Sequence, residues 1–147
     1  MSPLTWFLLA VAGGLGAVTR FTVDARVGAA VTRRRAARSP RPGGPRGARA
    51  RWAGIPLGTV VVNVTACLLL GIVTGWTTTA ASAPTAVASV LGTGFLGGYS
   101  TFSTASVESA RLLLAGRGPA TALHALGMAA ASLVAAVLGL AVGGALG

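Results

Sequence analysis

The segment from residue 92 to residue 109, GTGFLGGYSTFSTASVES, concentrates side chains that could do chemistry. Gly92, Gly94 and Gly97 have the G-x-G-x-x-G spacing of a dinucleotide-binding loop. A run of hydroxyl groups with one carboxylate overlaps and follows, able to hydrogen-bond an ion or a small substrate: Tyr99, Ser100, Thr101, Ser103, Thr104, Ser106, Glu108 and Ser109. Which chemistry is possible depends on the elements that hold this segment.

The composition indicates a membrane protein. Of the 147 residues, 53% are hydrophobic and only 10% are charged, and the mean hydropathy is +0.75. A soluble domain has about a quarter of its residues charged, whereas this chain has two acidic residues in total, Asp24 and Glu108. The single cysteine, Cys67, excludes an intrachain disulfide.

Four apolar runs predict the elements. Each has at least the ~20 residues that a helix needs to cross about 30 Å of hydrocarbon. The expected fold class is an all-α membrane protein, a single domain over residues 1–147. Its four transmembrane helices are predicted at about 4–23, 56–76, 84–115 and 119–146.

The third run is unusual because its 32 residues would form a helix of about 48 Å, too long for a simple span. With glycines and hydroxyls at its middle, we expect this helix to be broken mid-membrane near Gly97–Thr101. Irregular backbone at that depth must be buried in protein or line a wet cavity. A nucleotide loop would need a soluble strand–helix unit and an acidic residue about 20 positions onward, but Glu108 is eleven residues past Gly97. The segment is therefore interpreted as a membrane site.

All twelve basic residues are arginine, and nine of them lie within residues 26–54, a loop rich in Arg, Pro and Gly that we expect to be disordered. Arg111 and Arg117 lie at the connection between the third and fourth runs. The positive-inside rule then predicts a cell-membrane protein with the arginine loop in the cytoplasm and both termini outside. The cluster favours this topological role or contact with anionic lipid. We expect no nucleic-acid partner, because no binding module or interleaved aromatic residue accompanies the cluster.

Three segments resemble the CrcB or Fluc family of small bacterial fluoride channels, and together they extend the resemblance to all four helices. Such a resemblance implies a passive channel that exports cytoplasmic fluoride and reduces its toxicity, not an enzyme. It also implies an antiparallel dimer with two pores, crossed at its centre by the broken third helices. The segments are GGLGAVTR (13–20), PLGTVVVNV (56–64) and GFLGGYSTFSTASVE (94–108).

The resemblance assigns pore roles to residues of two helices. Asn63 matches the pore asparagine, and Phe102 matches the first of two pore phenylalanines. Fluoride is strongly hydrated, so a pore must replace its water with donors such as the Asn63 amide and the hydroxyls of Ser103, Thr104 and Ser106. The positive edge of the Phe102 ring could attract an anion without holding it too firmly.

Charges and a cofactor also follow from the resemblance. Arg20 and Glu108 match charges near the vestibules. Gly97 and Ser100 match positions whose backbone carbonyls hold a structural sodium ion at the dimer axis, in keeping with the cation affinity of carbonyls freed by a broken helix.

The sequence departs from the family pattern where the second pore phenylalanine is expected, because residue 105 is alanine. In the fourth helix a ladder of Tyr and Ser is replaced by His124, Met128 and Ser132. Both changes put one of the two pores in doubt. Combined with the one-way arginine topology, they predict a heterodimer with a homologous subunit inserted in the opposite orientation, in preference to a homodimer.

Other interpretations stay open at this point. A small proton-coupled multidrug transporter would need a carboxylate buried in the first helix, where Asp24 lies only at the end. A non-conducting accessory subunit is compatible with Ala105. Phe102 could serve helix packing, Asn63 could be an interhelical hydrogen bond, and hydroxyls could bond back to their own helix.

Overall fold

A computed structural model describes residues 1–37, 54–80 and 85–147. Within those ranges the regular elements are all helices, as the composition predicts. Most of the predicted 26–54 loop lies outside them, so the prediction of disorder at 38–53 concerns residues that are not described.

Five helices make up the described chain. α1, α2 and the final helix are each long and apolar enough to cross a membrane. The predicted third span is shared by two shorter helices, and its first half contains a π-helical stretch, Ala88–Leu96. In chain order the helices are α1 Pro3–Ala37, α2 Leu57–Thr79, α3 at residues 85–99, α4 Ser103–Leu114 and α5 Gly118–Leu146.

α1 continues beyond the predicted end at residue 23 and includes residues 26–37 of the predicted loop. Alanine and arginine are both strong helix formers, and this stretch consists largely of them. Arg34 and Arg35 lie in the last turn, where positive charge offsets the negative end of the helix dipole. Local helix propensity thus prevails here over repulsion between the arginines.

Glycines bring α2 and α5 into close contact along much of their lengths. A Cβ on Gly71 of α2 would lie 2.9 Å from the backbone nitrogen of Leu140, and a Cβ on Gly143 of α5 would lie 2.8 Å from the nitrogen of Trp76. Small residues allow such backbone approach between helices in lipid, where no hydrophobic effect drives association. These two helices form the closest-packed pair in the described chain.

The other close pair is α1 with α3. Gly16 faces the backbone of Phe95 and Tyr99, and Gly98 faces the backbone of Gly13. Tyr99 then fixes the end of α3 to α2, because its hydroxyl lies 3.0 Å from that of Thr65. The small buried core lies at this junction and consists of Val62, Ala66, Leu96 and Tyr99.

We predict that Gly16→Ala destabilises the protein and that Gly14→Ala does not. A Cβ at Gly16 would lie 2.9 Å from the nitrogen of Tyr99 and closer still to the carbonyl oxygen of Phe95, whereas a Cβ at Gly14 meets no atom within 4 Å. Overpacking of this kind costs about 1–3 kcal/mol. Both substitutions gain the same helix propensity, so the difference between their free energies of unfolding in mixed micelles isolates the clash. Equal values for the two variants would contradict this packing.

Candidate functional site

The chain leaves helical geometry between α3 and α4. α3 ends at Tyr99, Ser100 is extended with φ −71° and ψ 160°, and α4 begins at Ser103. The Ser100 nitrogen still bonds the carbonyl of Leu96 at 2.9 Å, so the regular hydrogen bonding ends at the next residue. The peptide groups that follow must find other partners.

The side chain of Asn63 on α2 satisfies both backbone groups of Thr101. Its Oδ1 accepts from the Thr101 N–H at 2.8 Å, and its Nδ2 donates to the Thr101 carbonyl at 2.8 Å. Nδ2 also lies 3.4 Å from the sulfur of Met128 on α5. The amide thus pairs with the N–H and the carbonyl of a single residue, Thr101. This is the interhelical hydrogen bond that the sequence left as an alternative for Asn63.

Hydroxyl groups extend this network toward α1. The Thr101 hydroxyl donates to the Thr104 hydroxyl at 3.0 Å and accepts from the Thr104 N–H at 3.3 Å. Arg20 then donates from Nη1 to the Thr104 hydroxyl at 3.4 Å. A polar chain therefore runs from Arg20 through both threonines to Asn63. Thr101 also serves the first turn of α4, where an N–H has no helical acceptor.

Two carbonyls lose their helical partners at the break. In a continuous helix the Gly97 oxygen would accept from Thr101 N–H and the Ser100 oxygen from Thr104 N–H. Here the Thr101 N–H donates to Asn63, and the Thr104 N–H donates to the Thr101 hydroxyl. The Gly97 oxygen keeps one long contact, from the Ser100 hydroxyl at 3.4 Å. Both residues that the sequence assigns to sodium thus have carbonyls released from the helical ladder.

An open groove of about 440 Å³ lies beside the break, between α2, α4 and α5. It brings together three predicted pore residues, Asn63, Phe102 and Ser106, with the substituted position Ala105. Cys67 lines it as well and was missed, although it lies one helical turn from Asn63. The whole lining is Asn63, Cys67, Ser100, Thr101, Phe102, Ala105, Ser106, Ser109, Ala125, Met128, Ala129 and Ser132.

The other predicted hydroxyls are not in this groove. Thr104 lines a separate cavity of about 230 Å³ with Arg20, Asp24 and Thr59. Ser103 is exposed. Ser106 does line the groove, but its hydroxyl donates to the carbonyl of Phe102, the residue before α4, at 2.9 Å, which is the backbone bonding that the sequence left open.

Phe102 is 87% exposed. Its ring therefore does not pack against its own chain in any substantial way, and the packing alternative fails within one protomer. A large apolar ring in this position needs lipid, a second protein chain or a pore to cover it.

The two candidate vestibule charges have different surroundings. Glu108 lies 3.4 Å from Nε2 of His124, whose side chain is fully buried. Asp24 and Arg111 are close enough for their charges to act on the same carboxylate. The sequence showed no partner for His124. Its partner is sixteen residues earlier, on another helix, and only the turn between α4 and α5 brings them together.

A family model described as "CrcB-like protein, Camphor Resistance (CrcB)" matches residues 7–143. The chain belongs to the CrcB family. This confirms the resemblance found in the sequence, and with the three span-length helices it makes the chain an integral membrane protein.

Curated relatives in the CrcB family carry a functional name. "Fluoride-specific ion channel FluC 2" of Cutibacterium acnes is 39% identical over 140 residues, which are 95% of this chain and 98% of that protein. "Fluoride-specific ion channel FluC 1" of Leifsonia xyli is 41% identical over 98% of this chain and 90% of its own length. "Fluoride-specific ion channel FluC 2" of Rhodococcus jostii is 33% identical over 92% and 96%.

We predict that Asn63→Leu destabilises this CrcB protein far more than a polar-to-apolar change elsewhere on α2. It would leave the N–H and the carbonyl of Thr101 without partners, and each buried orphan group costs about 1–3 kcal/mol. Thr77→Val is the matched control, because that hydroxyl bonds only carbonyls of its own helix. Free energies of unfolding in mixed micelles provide the measurement. Equal losses in the two variants would show that the break does not depend on Asn63.

Proposed function

We propose that the protein is a fluoride-selective channel through which cytoplasmic fluoride leaves the cell down its gradient, which reduces fluoride toxicity. The observation that carries the proposal is the Asn63 amide. It is held rigidly by Thr101 at a groove that also holds Phe102 and Ser106. The names of the relatives supply the ion.

The second N–H of Asn63 is suited to a small anion. One hydrogen of Nδ2 is used by the Thr101 carbonyl, and the other points toward the thioether of Met128 at 3.4 Å. A thioether is a weak acceptor, so fluoride can replace it at little expense and gains a donor in place of water. Ser106, Ser103 and Thr104 are proposed as further donors, each released from its present neighbour as the ion passes.

The ring of Phe102 is proposed to present its positive edge to the anion. Its 87% exposure leaves the edge free to face a pore completed by a second subunit. Arg20 and Glu108 are proposed to shape the field at the vestibules, with Arg20 reaching the site through Thr104.

The irregular residues between Tyr99 and Ser103 are proposed to lie mid-membrane, so that α3 and α4 together make one broken span. The side chain of Asn63 supports this, since it provides the protein partner that irregular backbone needs in lipid. The carbonyls of Gly97 and Ser100 would hold the structural sodium ion, whose positive charge compensates oxygens released from the helix.

An antiparallel dimer is proposed, with both termini outside and the arginine loop in the cytoplasm of a cell-membrane protein. A second subunit would cover the open groove and the ring of Phe102. We propose a homologous partner of opposite orientation rather than a second copy. Translocating nine arginines outward is unfavourable, and Ala105 leaves one pore without its second ring.

Phe102→Ile is predicted to abolish or greatly reduce fluoride efflux from proteoliposomes, because isoleucine has no positive ring edge. Phe7→Ile is the matched control, being the same change at another exposed phenylalanine, and should leave efflux unchanged. A fluoride-selective electrode follows the release. Normal efflux in Phe102→Ile would remove the ring from the pore.

Efflux is also predicted to require a partner. Proteoliposomes made with this chain alone should release little fluoride, whereas those that also contain the homologous subunit encoded nearest to it should release it readily. Full efflux from the chain alone would contradict the heterodimer. No efflux from either preparation, with both proteins folded, would contradict the channel and favour an accessory subunit.

A further inference from the structure

α1 is too long for all of it to lie within the membrane, and its last third must lie outside the hydrocarbon core. The helix has 35 residues, about 52 Å at 1.5 Å per residue, against a hydrocarbon core of about 30 Å. Its C-terminal end therefore extends past the core by roughly 20 Å or lies along the interface. This end carries four exposed arginines: Arg26, Arg33, Arg34 and Arg35.

The chain cannot neutralise these arginines itself. It has twelve arginines and two acidic residues. Asp24 packs against Gly58 of α2, and Glu108 lies on α4 within 3.4 Å of Nε2 of the buried His124. The polar contact shown for Arg33 is a long one, from Nε to the carbonyl of Ala29 at 3.4 Å. Counter-charge for this end of α1 must come from another molecule.

The arrangement of the arginines matches a membrane surface. Arg26 and Arg33 are seven residues apart and share one face of the helix, while Val27 and Val31 on another side are half-buried. A guanidinium fork binds phosphate oxygens in a bidentate manner. Attraction to an anionic leaflet acts within a Debye length of its surface, which is where a helix leaving the membrane holds its side chains.

Nucleic acid is the less suitable polyanion. Residues 22–51 contain no aromatic side chain, so nothing in that stretch could stack on a base. The segment is also continuous with a transmembrane helix, which keeps it at the lipid headgroups.

We propose that the basic end of α1, formed by Arg26, Arg33, Arg34 and Arg35, is a binding surface for anionic phospholipid headgroups of the cytoplasmic leaflet. It rests on the proposed orientation of the chain but not on fluoride conduction. The lipid supplies the negative charge that the chain lacks and holds the long α1 helix at the membrane surface.

The test is lipid binding to the full-length protein in a mild detergent, measured by native mass spectrometry. Phosphatidylglycerol and phosphatidylcholine with identical acyl chains are titrated in parallel. We expect preferential binding of phosphatidylglycerol that weakens with salt. Replacing Arg33, Arg34 and Arg35 together with Gln should weaken it by about fivefold per arginine and roughly a hundredfold in all.

The same three residues replaced with Lys are the matched control, because the charge is kept. That variant should retain the preference within a few-fold. An undiminished preference in the Gln variant, or an equal loss in both variants, would overturn the proposal. Unfolding in lipid-free detergent should be the same for all three proteins, which separates lost binding from lost folding.

Two competitors identify the source of the negative charge. Inorganic phosphate, at the concentration of phosphatidylglycerol that saturates the protein, should not displace the lipid. Displacement would mean a site for free anions. A short DNA duplex should also bind more weakly than the lipid, and tighter binding of the duplex would overturn the assignment to a membrane. The experiment measures lipid binding and not fluoride flux, so its result can be interpreted even if the protein does not conduct fluoride.

Discussion

The structure depends on one pair of hydrogen bonds, between the Asn63 amide and the backbone N–H and carbonyl of Thr101. A helix that is interrupted, as between α3 and α4, leaves N–H and carbonyl groups without helical partners. Asn63 supplies both partners, because its Nδ2 donates to the Thr101 carbonyl and its Oδ1 accepts from the Thr101 N–H, each at 2.8 Å. Because the Thr101 N–H is taken, the Gly97 carbonyl is released, the chain turns, and a new helix begins at Ser103. The released carbonyls of Gly97 and Ser100, which are proposed to hold sodium, result from these changed hydrogen-bond partners.

Close contacts at glycines hold the surrounding helices at the distances that the hydrogen bonds between Asn63 and Thr101 require. The close pairs α2–α5 and α1–α3 each involve glycines that face backbone atoms, so neither pair can slide without a steric clash. Asn63 belongs to the first pair, and Thr101 lies two residues beyond the end of α3 in the second. Their amide groups therefore meet because two closely packed units are joined at Tyr99 and Thr65. α4 packs less extensively on the rest of the described chain than the other long helices do, in keeping with the proposed second subunit.

The sequence was sufficient for features that depend on composition and local pattern. Three of the four apolar runs predicted helices that are long and apolar enough to cross a membrane, and the overlong third run is divided between α3 and α4. Features that depend on contacts between distant residues could not be predicted. The sequence indicated that Asn63 could donate to an ion. It did not indicate that the backbone of Thr101 would bond both the oxygen and the nitrogen of the amide. It showed no partner for His124, and it could not divide the hydroxyls between the groove of Ser106 and the cavity of Thr104. α1 continues past the predicted end at residue 23 because the helix propensity of alanine and arginine outweighs the repulsion between like charges.

The nine arginines of residues 26–54 relate the proposed orientation of the chain to the proposed dimer. In the proposed topology the nine arginines of residues 26–54 lie on the cytoplasmic side, so every copy of the chain would insert the same way and all copies would be parallel. An antiparallel dimer then needs a chain whose charge bias is reversed. In the proposed heterodimer the two pores would not be equivalent, because each would take its lining from two different subunits. An alanine at position 105 would be tolerable in that pair if the other pore kept its second ring, and the proposal thereby relates the arginine-rich stretch to Ala105.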